Sequence, residues 1–359
     1  MTQATDIPPF GQKGAYVFHA PAKVNLYLHV TGKRADGYHL LDSLVVFTDL
    51  CDWVSLTPNT KTPSDASSSP PISSSSLSSP LCIIEGEHAQ DLIDAQHEHP
   101  DNSVIRAARM MADYFSQNTD SLIFHLHKNI PIKAGLGGGS SDGATTIRAL
   151  CHFWGTAYDQ AIKTPALWEI ARTLGADVPM CLYGKPARIR GIGEHIDPVS
   201  ITPPLYILLA NPRIPCSTRT IFQDFAFDPI KNEEDNASTI PPIWEDFESL
   251  IAFLQTTRND LTHIAVRHVP VIHDVLQALN ALPQAHCARM SGSGSTCFAL
   301  FPSHTDLKQA KEILVKQNPK WWIQETRTIT HEHYSKSSCA FTSDSNERSF
   351  IDKDLSHNS

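Results

Sequence analysis

The chain has 359 residues, 41% of them hydrophobic and 19% charged, enough for two domains whose cores need no disulfide or metal staple. A formal net charge of -9 argues against nucleic acid or an anionic membrane as the main partner. The eight cysteines (51, 82, 151, 181, 216, 287, 297 and 339) form no Cys-x-x-Cys pair, residues 1–10 lack a signal-peptide pattern and no apolar run nears ~20 residues, so a reduced, cytoplasmic protein is expected.

Residues 1–14 are polar and are expected to be a flexible N-terminus. Over residues 16–30, Ala22, Val24, Leu26 and Leu28 alternate with Lys23, Asn25, Tyr27 and His29. A strand with that period carries Lys23 and Asn25 on one face, either solvated or aimed into a site. The turn at residues 31–37 leads into a strand over 38–47, and another strand-like piece lies around 53–56. Residues 58–80 are mostly serine with prolines and read as a disordered insertion in a loop between strands. Strand character resumes at 81–84. Asp101 or Asn102 can then cap a helix whose apolar face is Val104, Ile105, Ala108, Met111, Ala112 and Phe115.

Next comes the most distinctive stretch, Gly135-Leu136-Gly137-Gly138-Gly139-Ser140-Ser141-Asp142. An alternating strand precedes it (Leu122, Phe124, Leu126) and a helix-period segment follows it (Ala144, Ile147, Leu150 or Cys151, Trp154). A strand, a glycine turn and a helix start expose backbone N–H groups along the helix axis, where the dipole adds positive potential. The expectation is an anion cradle. Thr164 and Pro165 open a further helix that ends at Gly175, placing Asp177 just past a helix end, where the dipole does nothing for a carboxylate.

Composition shifts near 201–204, a candidate domain boundary. A short buried strand at 205–209 follows, then a polar loop over 228–242 and helices around 244–253, 259–269 and 271–282. A second glycine loop, Ser291-Gly292-Ser293-Gly294-Ser295-Thr296, precedes a strand at 297–301. A helix over 306–317 and a last strand over 321–330 complete the ordered part, and residues 331–359 read as a disordered tail.

The cradle is not a Walker A loop, because no Gly-Lys is followed by Ser or Thr. It fails the dinucleotide fingerprint at the third glycine, which disfavours a nicotinamide-dependent oxidoreductase. There is no His-Arg-Asp, Asp-Phe-Gly or Gly-x-Ser-x-Gly. His97-Glu98-His99 and His331-Glu332-His333 lack the i, i+4 spacing of a helical metal pair, so no metal site is assigned.

Three segments remain: Pro21-Ala22-Lys23-Val24-Asn25, residues 131–142, and residues 291–296. In order and spacing they resemble the three motifs of the GHMP kinase superfamily. Arg34-Ala35-Asp36-Gly37-Tyr38-His39 and Leu174-Gly175-Ala176-Asp177-Val178-Pro179 extend the resemblance to the branch acting on a cytidine-diphosphate-linked methylerythritol in non-mevalonate isoprenoid synthesis. The resemblance covers roughly residues 17–330. It implies a two-domain α+β fold, with an N-terminal domain (15–202) similar to the second domain of ribosomal protein S5, left-handed β-α-β crossover included. The C-terminal domain (203–330) would be ferredoxin-like.

It also implies residue roles. Pro131, Ile132, Lys133, Ala134, Gly135, Leu136, Gly137, Gly138, Gly139, Ser140 and Ser141 would wrap the ATP phosphates. Asp177 would be the general base on the acceptor 2-hydroxyl, with Lys23 holding Asp177 and lowering the hydroxyl's pKa. Asn25 would orient the same group, Tyr38 and Phe222 would sandwich the cytosine, and His39 would bond its edge. The superfamily's metal carboxylate is not identifiable, so Mg²⁺ would arrive on ATP. Gly143 stands where the family usually has alanine. The implied protein is a cytoplasmic monomer or weak homodimer with a small-molecule substrate. A homoserine or mevalonate-type kinase, indifferent to cytidine, and a nucleotide-binding regulator without catalysis are the alternatives; Lys23 and Asp177 together speak against the second.

Overall fold

The alternation around Lys23 does make a strand, but one buried on both faces. In the computed structural model, which describes residues 16–58, 80–96, 101–119, 122–156, 158–227, 241–329 and 338–340, β1 (Tyr16–Lys33) pairs antiparallel with β2 (His39–Pro58). Lys23 lies opposite Phe47 and Asn25 opposite Val45, with register irregularities flanking both. Such bulges bend a ribbon and re-aim side chains. The strand patterns at 38–47 and 53–56 are one continuous strand, because the chain bulges between Phe47, opposite Lys23, and Cys51, opposite Pro21. Tyr38 stays outside it.

The first sheet runs β13-β1-β2-β4-β3, with the hairpin β5–β6 attached to β2. Its strands are β3 (Leu81–Glu85), β4 (Leu122–His127), β5 (Ala187–Gly191), β6 (His195–Pro198) and β13 (Ser338–Ala340). Between β3 and its parallel neighbour β4 run α1 (Ala89–Gln96) and α2 (Ser103–Phe115). Of the two capping candidates the cap is Asn102, whose Oδ1 accepts from the Ile105 N–H at 3.0 Å. After β4 come α3 (Gly138–Phe153), α4 (Tyr158–Ala161), α5 (Pro165–Leu174) and α6 (Val178–Tyr183). Helices α2, α3 and α5 bury Val104, Met111, Ile147, Leu150 and Leu167 against Phe18, Phe47, Val54 and Phe124 of the sheet.

The short strands β7 (Ser200–Ile201) and β9 (Ile243–Trp244) pair parallel with each other, apart from both larger sheets. The second sheet holds β8 (Tyr206–Asn211), β10 (His286–Met290), β11 (Cys297–Phe301) and β12 (Trp322–Arg327) in the order β10-β11-β8-β12. That antiparallel order, with helices between the first and second and between the third and fourth strands, is ferredoxin-like. The helices are α7 (Thr218–Gln223), α8 (Phe247–Gln255), α9 (Thr262–His268), α10 (Val271–Asn280) and α11 (His304–Gln317). Strands β5, β6, β7, β9 and β10 and helices α1, α4, α6 and α7 lack a strong sequence period and have no counterpart among the expected elements.

A third apolar cluster joins the sheets: Val24, Leu26, Leu44 and Val46 meet Ile207, Leu209, Phe298, Leu300 and Trp322. This contact explains why β1 is buried on both sides. Arg289 crosses the same boundary. Its guanidinium donates to the carbonyls of Leu26 (2.6 Å), Leu254 (2.8 Å) and Thr257 (2.8 Å), and burial lowers its pKa. Leu254 lies in the last turn of α8, where carbonyls lack helical partners and a cation is favoured.

The expected disordered tail needs one correction. Ser338–Ala340 forms β13 on the outer edge of β1, with Tyr16 opposite Ala340. A three-residue strand is too short to show a period; the open edge supplies its backbone partners. The N-terminus, residues 59–79 of the insertion, most of the 228–242 loop and both histidine clusters lie outside the described residues.

Candidate active site

Both glycine loops and the middle of β1 converge on one cavity of about 580 Å³. The first loop supplies Pro131, Ile132, Lys133, Ala134, Gly135, Gly137, Gly138, Gly139 and Ser140 to its wall. Leu136 and Ser141 do not line it. Leu136 points into the apolar cluster between the sheets, and the Ser141 hydroxyl is buried without a hydrogen-bond partner. Alternate residues of so tight a turn cannot all face one side.

The loop is held by its neighbours. Gly135 has φ +75°, and a Cβ there would run into the Ser291 carbonyl and lie 2.9 Å from the Gly294 N and O atoms. The two glycine loops therefore touch backbone to backbone, with the Thr296 N–H donating to the Ala134 carbonyl at 3.1 Å. Gly137, at φ +65° and capping α3, packs on the Lys23 stem, and the Lys23 N–H donates to the Leu136 carbonyl at 2.9 Å. The first N–H groups of α3, which have no partner within the helix, begin here.

Lys23 is buried, and its Nζ lies 3.1 Å from Asp177 Oδ2 and 2.9 Å from Asn25 Oδ1. Period two puts Lys23 and Asn25 on the same face, and the tertiary fold turns that face into the cavity rather than into water. Asp177, half exposed, is not only past the end of α5: it is the N-cap position of the short helix α6. The expectation that no helix dipole favours it is thus corrected. The next turn starts at once, and its side chain makes no capping bond but reaches Lys23.

Beneath the cradle lies a charged cluster that sequence reasoning missed. Lys128, fully buried just past β4, donates to Asp52 and, at 2.9 Å, to Asp142 Oδ2. Asp52 Oδ1 also accepts the N–H groups of Asn129 (2.7 Å) and Ile130 (2.9 Å), the residues that lead into the loop. Burial would lower the Lys128 pKa, but the two carboxylates outweigh it and raise it. Burial pushes the Asp142 carboxyl well above the usual range, against the pull of Lys128. Asp52, Lys128 and Asp142 are far apart in sequence, so no local pattern signals them.

Phe222, on α7, lines the cavity; Tyr38 and His39 do not. His39 lies beside Phe222, with ring centroids 5.4 Å apart, and meets Phe225 edge-on at 5.8 Å. Tyr38 is 58% exposed on the turn fixed by the Arg34–Asp36 ion pair. Burial, with help from Lys33, lowers the His39 pKa, while a bond to the Phe225 backbone opposes the shift. His39 Nε2 is buried without a hydrogen-bond partner. From the opposite wall, Ser103 and Arg106 of α2 and Ile192 and Gly193 of the β5–β6 turn also reach the cavity.

Among the described residues no group of three or more His, Cys, Asp or Glu side chains is placed to hold a metal. Asp142 and Asp177, the carboxylates lining the cavity, each already pair with a lysine. A dication bound by either would face that ammonium, so these residues do not form a dedicated metal site. No helix of the described residues is long and apolar enough to cross a membrane.

Comparison with known proteins places the sequence and the fold. Residues 102–185 match the family of GHMP kinases N terminal domains, and residues 242–320 match the GHMP kinases C terminal family. The 4-diphosphocytidyl-2-C-methyl-D-erythritol kinase of Ruegeria pomeroyi is 40% identical over 314 residues, spanning 86% of this chain and 98% of the relative. The enzyme of the same name from Granulibacter bethesdensis is 40% identical over 307 residues, spanning 84% and 90%. A crystal structure of 4-(cytidine 5'-diphospho)-2C-methyl-D-erythritol kinase superposes with a TM-score of 0.62 at 28% identity, covering 88% of this chain and all of that one. The Methanococcus jannaschii mevalonate kinase shares the fold, with a TM-score of 0.55 at 14% identity, covering 90% and 100%.

Proposed function

The chain belongs to the 4-diphosphocytidyl-2-C-methyl-D-erythritol kinases of the GHMP kinase superfamily, and from that premise we propose that it transfers the ATP γ-phosphoryl group to the 2-hydroxyl of 4-diphosphocytidyl-2-C-methyl-D-erythritol, giving the 2-phosphate and ADP. The observation that carries this reading is the Lys23–Asp177 pair, 3.1 Å apart in the same cavity as the glycine cradle. Phosphoryl transfer demands positioning and charge neutralisation more than covalent chemistry, and a base, a cation and an anion cradle supply both.

In this reading the loop N–H groups and the start of α3 hold the triphosphate. Asp177 takes the proton of the acceptor hydroxyl, and Lys23, with an N–H left over after Asp177 and Asn25, steadies the oxygen that attacks. Mg²⁺ comes bound to ATP, where it neutralises the phosphate charge. The cytosine lies between Tyr38 and Phe222. The bond to the Phe225 backbone opposes the lowering of the His39 pKa, as a ring N–H donated to a carbonyl does, and with Nε2 unpartnered that donor is Nδ1; neutral Nε2 is then an acceptor for the cytosine amino group. The division into domains at 15–202 and 203–330, a cytoplasmic setting and a monomer or weak homodimer belong to the same proposal.

A coupled ADP-release assay across methylerythritol cytidine diphosphate, homoserine and mevalonate tests it. Turnover should need the cytidylyl acceptor; equal turnover of homoserine or mevalonate would overturn the assignment.

A further inference from the structure

Asn25 makes two side-chain bonds of opposite polarity, and one of its two partners is a residue outside the proposed catalytic set. Ser43, on β2, is buried and directs its hydroxyl at the Tyr27 carbonyl at 2.5 Å. A carbonyl oxygen cannot donate, so the single Ser43 proton is committed to that bond. Ser43 Oγ can then only accept from its other neighbour, which is the Asn25 Nδ2 group at 2.8 Å. With the amide NH₂ turned to Ser43, the amide oxygen has to face Lys23 Nζ, 2.9 Å away. The donors therefore run from Lys23 through Asn25 and Ser43 to the Tyr27 carbonyl, and Lys23 donates separately to Asp177.

We propose that Ser43 is a positioning residue for phosphoryl transfer, holding the NH₂ end of the Asn25 amide so that its oxygen stays fixed against Lys23. The ammonium, which only donates, selects the amide oxygen, but without Ser43 the NH₂ end loses its acceptor and the amide plane can swing. Lys23 would lose a fixed acceptor, and its alignment on Asp177 would loosen. The Asn25 backbone is pinned separately, its N–H donating to Ser291 Oγ at 3.2 Å while that hydroxyl bonds the Gly135 carbonyl at 2.9 Å. Losing the Ser43 hydroxyl therefore frees the amide rotation without releasing the strand from the glycine loops. The inference rests on the reading of Lys23 and Asp177 as the reacting pair.

Steady-state kinetics on the full chain test it. Ser43→Ala should lower kcat about tenfold, the scale of one oriented hydrogen bond lost at the reacting groups, with both KM values nearly unchanged. Ser43→Thr, which keeps the hydroxyl, should restore kcat. In an Asn25→Ala background Ser43→Ala should cost nothing further, because the amide it orients is gone. If the alanine variant does not fold, Ser43→Cys, similar in shape with a weak thiol, carries the same cycle. Wild-type kcat in the variant, or an equal loss with and without Asn25, overturns the proposal, since a merely structural serine would give additive losses. Asp177→Asn in the same assay separates the two readings. An active Asp177→Asn removes the reacting pair, whereas an inactive one beside a fully active Ser43→Ala removes only the role of Ser43.

Discussion

Lys23 Nζ and Asp177 Oδ2 lie 3.1 Å apart, the lysine buried in the middle of a long strand and the aspartate half exposed at the start of a short helix. Buried cations are costly without partners, and the two oxygens of Asn25 and Asp177 provide them. Asp177→Asn should therefore leave ATP binding intact while turnover falls by ~10²–10⁴. Calorimetric ATP titration together with single-turnover kinetics checks this, and retained kcat would remove Asp177 as the base.

Two glycines of the same region should respond in opposite ways. Gly135→Ala places a Cβ against backbone atoms of Ser291 and Gly294 that cannot yield, at a φ that L residues avoid. The loops must separate, so the KM for ATP should rise at least about tenfold, with a lower Tm. At Gly143, inside α3, a Cβ would meet Ser103 Cβ at an ordinary 3.5 Å. Gly143→Ala should stabilise the protein by ~0.5–1 kcal/mol through helix propensity. Thermal and urea unfolding of the two variants measures the contrast.

The buried Lys128 cluster predicts unequal roles for its two acids. Burial raises the Asp142 pKa, and its Oδ2 is the atom engaged by Lys128. Asp142→Asn retains an oxygen for that bond and should change stability little at neutral pH. Asp52→Asn should cost far more, because Asp52 serves Lys128 and two backbone N–H groups together. Lys128→Met leaves the buried acids without a cation and should cost ~3–5 kcal/mol. Denaturant melts rank the three; an Asp142→Asn variant as unstable as Asp52→Asn would contradict this ranking.

His39 predicts a pH dependence confined to one substrate. Burial lowers its pKa below the ordinary histidine value of 6.5, so at neutral pH the ring is neutral and Nε2 can accept. Acidification through that lowered pKa protonates Nε2 and removes the acceptor. The KM for the cytidylyl substrate should therefore climb as pH falls below the usual histidine range, with the KM for ATP flat. His39→Ala should raise the first KM at every pH and abolish its slope. Equal effects on both KM values would contradict base recognition.

Much of the site is legible in the sequence because local chemistry specifies it. Three consecutive glycines between a strand pattern and a helix pattern announce the cradle, and period two alone aligns Lys23 with Asn25. Other features obey no local rule. The 38–56 strand looks like two because a bulge interrupts its period, and Leu136 and Ser141 turn away from a loop that reads as continuous. Asp177 opens a helix too short to show a period.

What the residues by themselves determine is the long strands and helices with a clear period, the anion-binding turn and the types of group that line it, since these depend on neighbours within a few positions. Only the tertiary structure decides that Lys23 is buried rather than solvated, because the first glycine loop closes over its stem. It alone brings Lys23 to Asp177, sets Lys128 between Asp52 and Asp142, and turns Asn25 by way of Ser43. Each of these depends on charges or hydrogen-bond partners brought together across strands and loops, and their energies depend on burial that exists only once both sheets have closed.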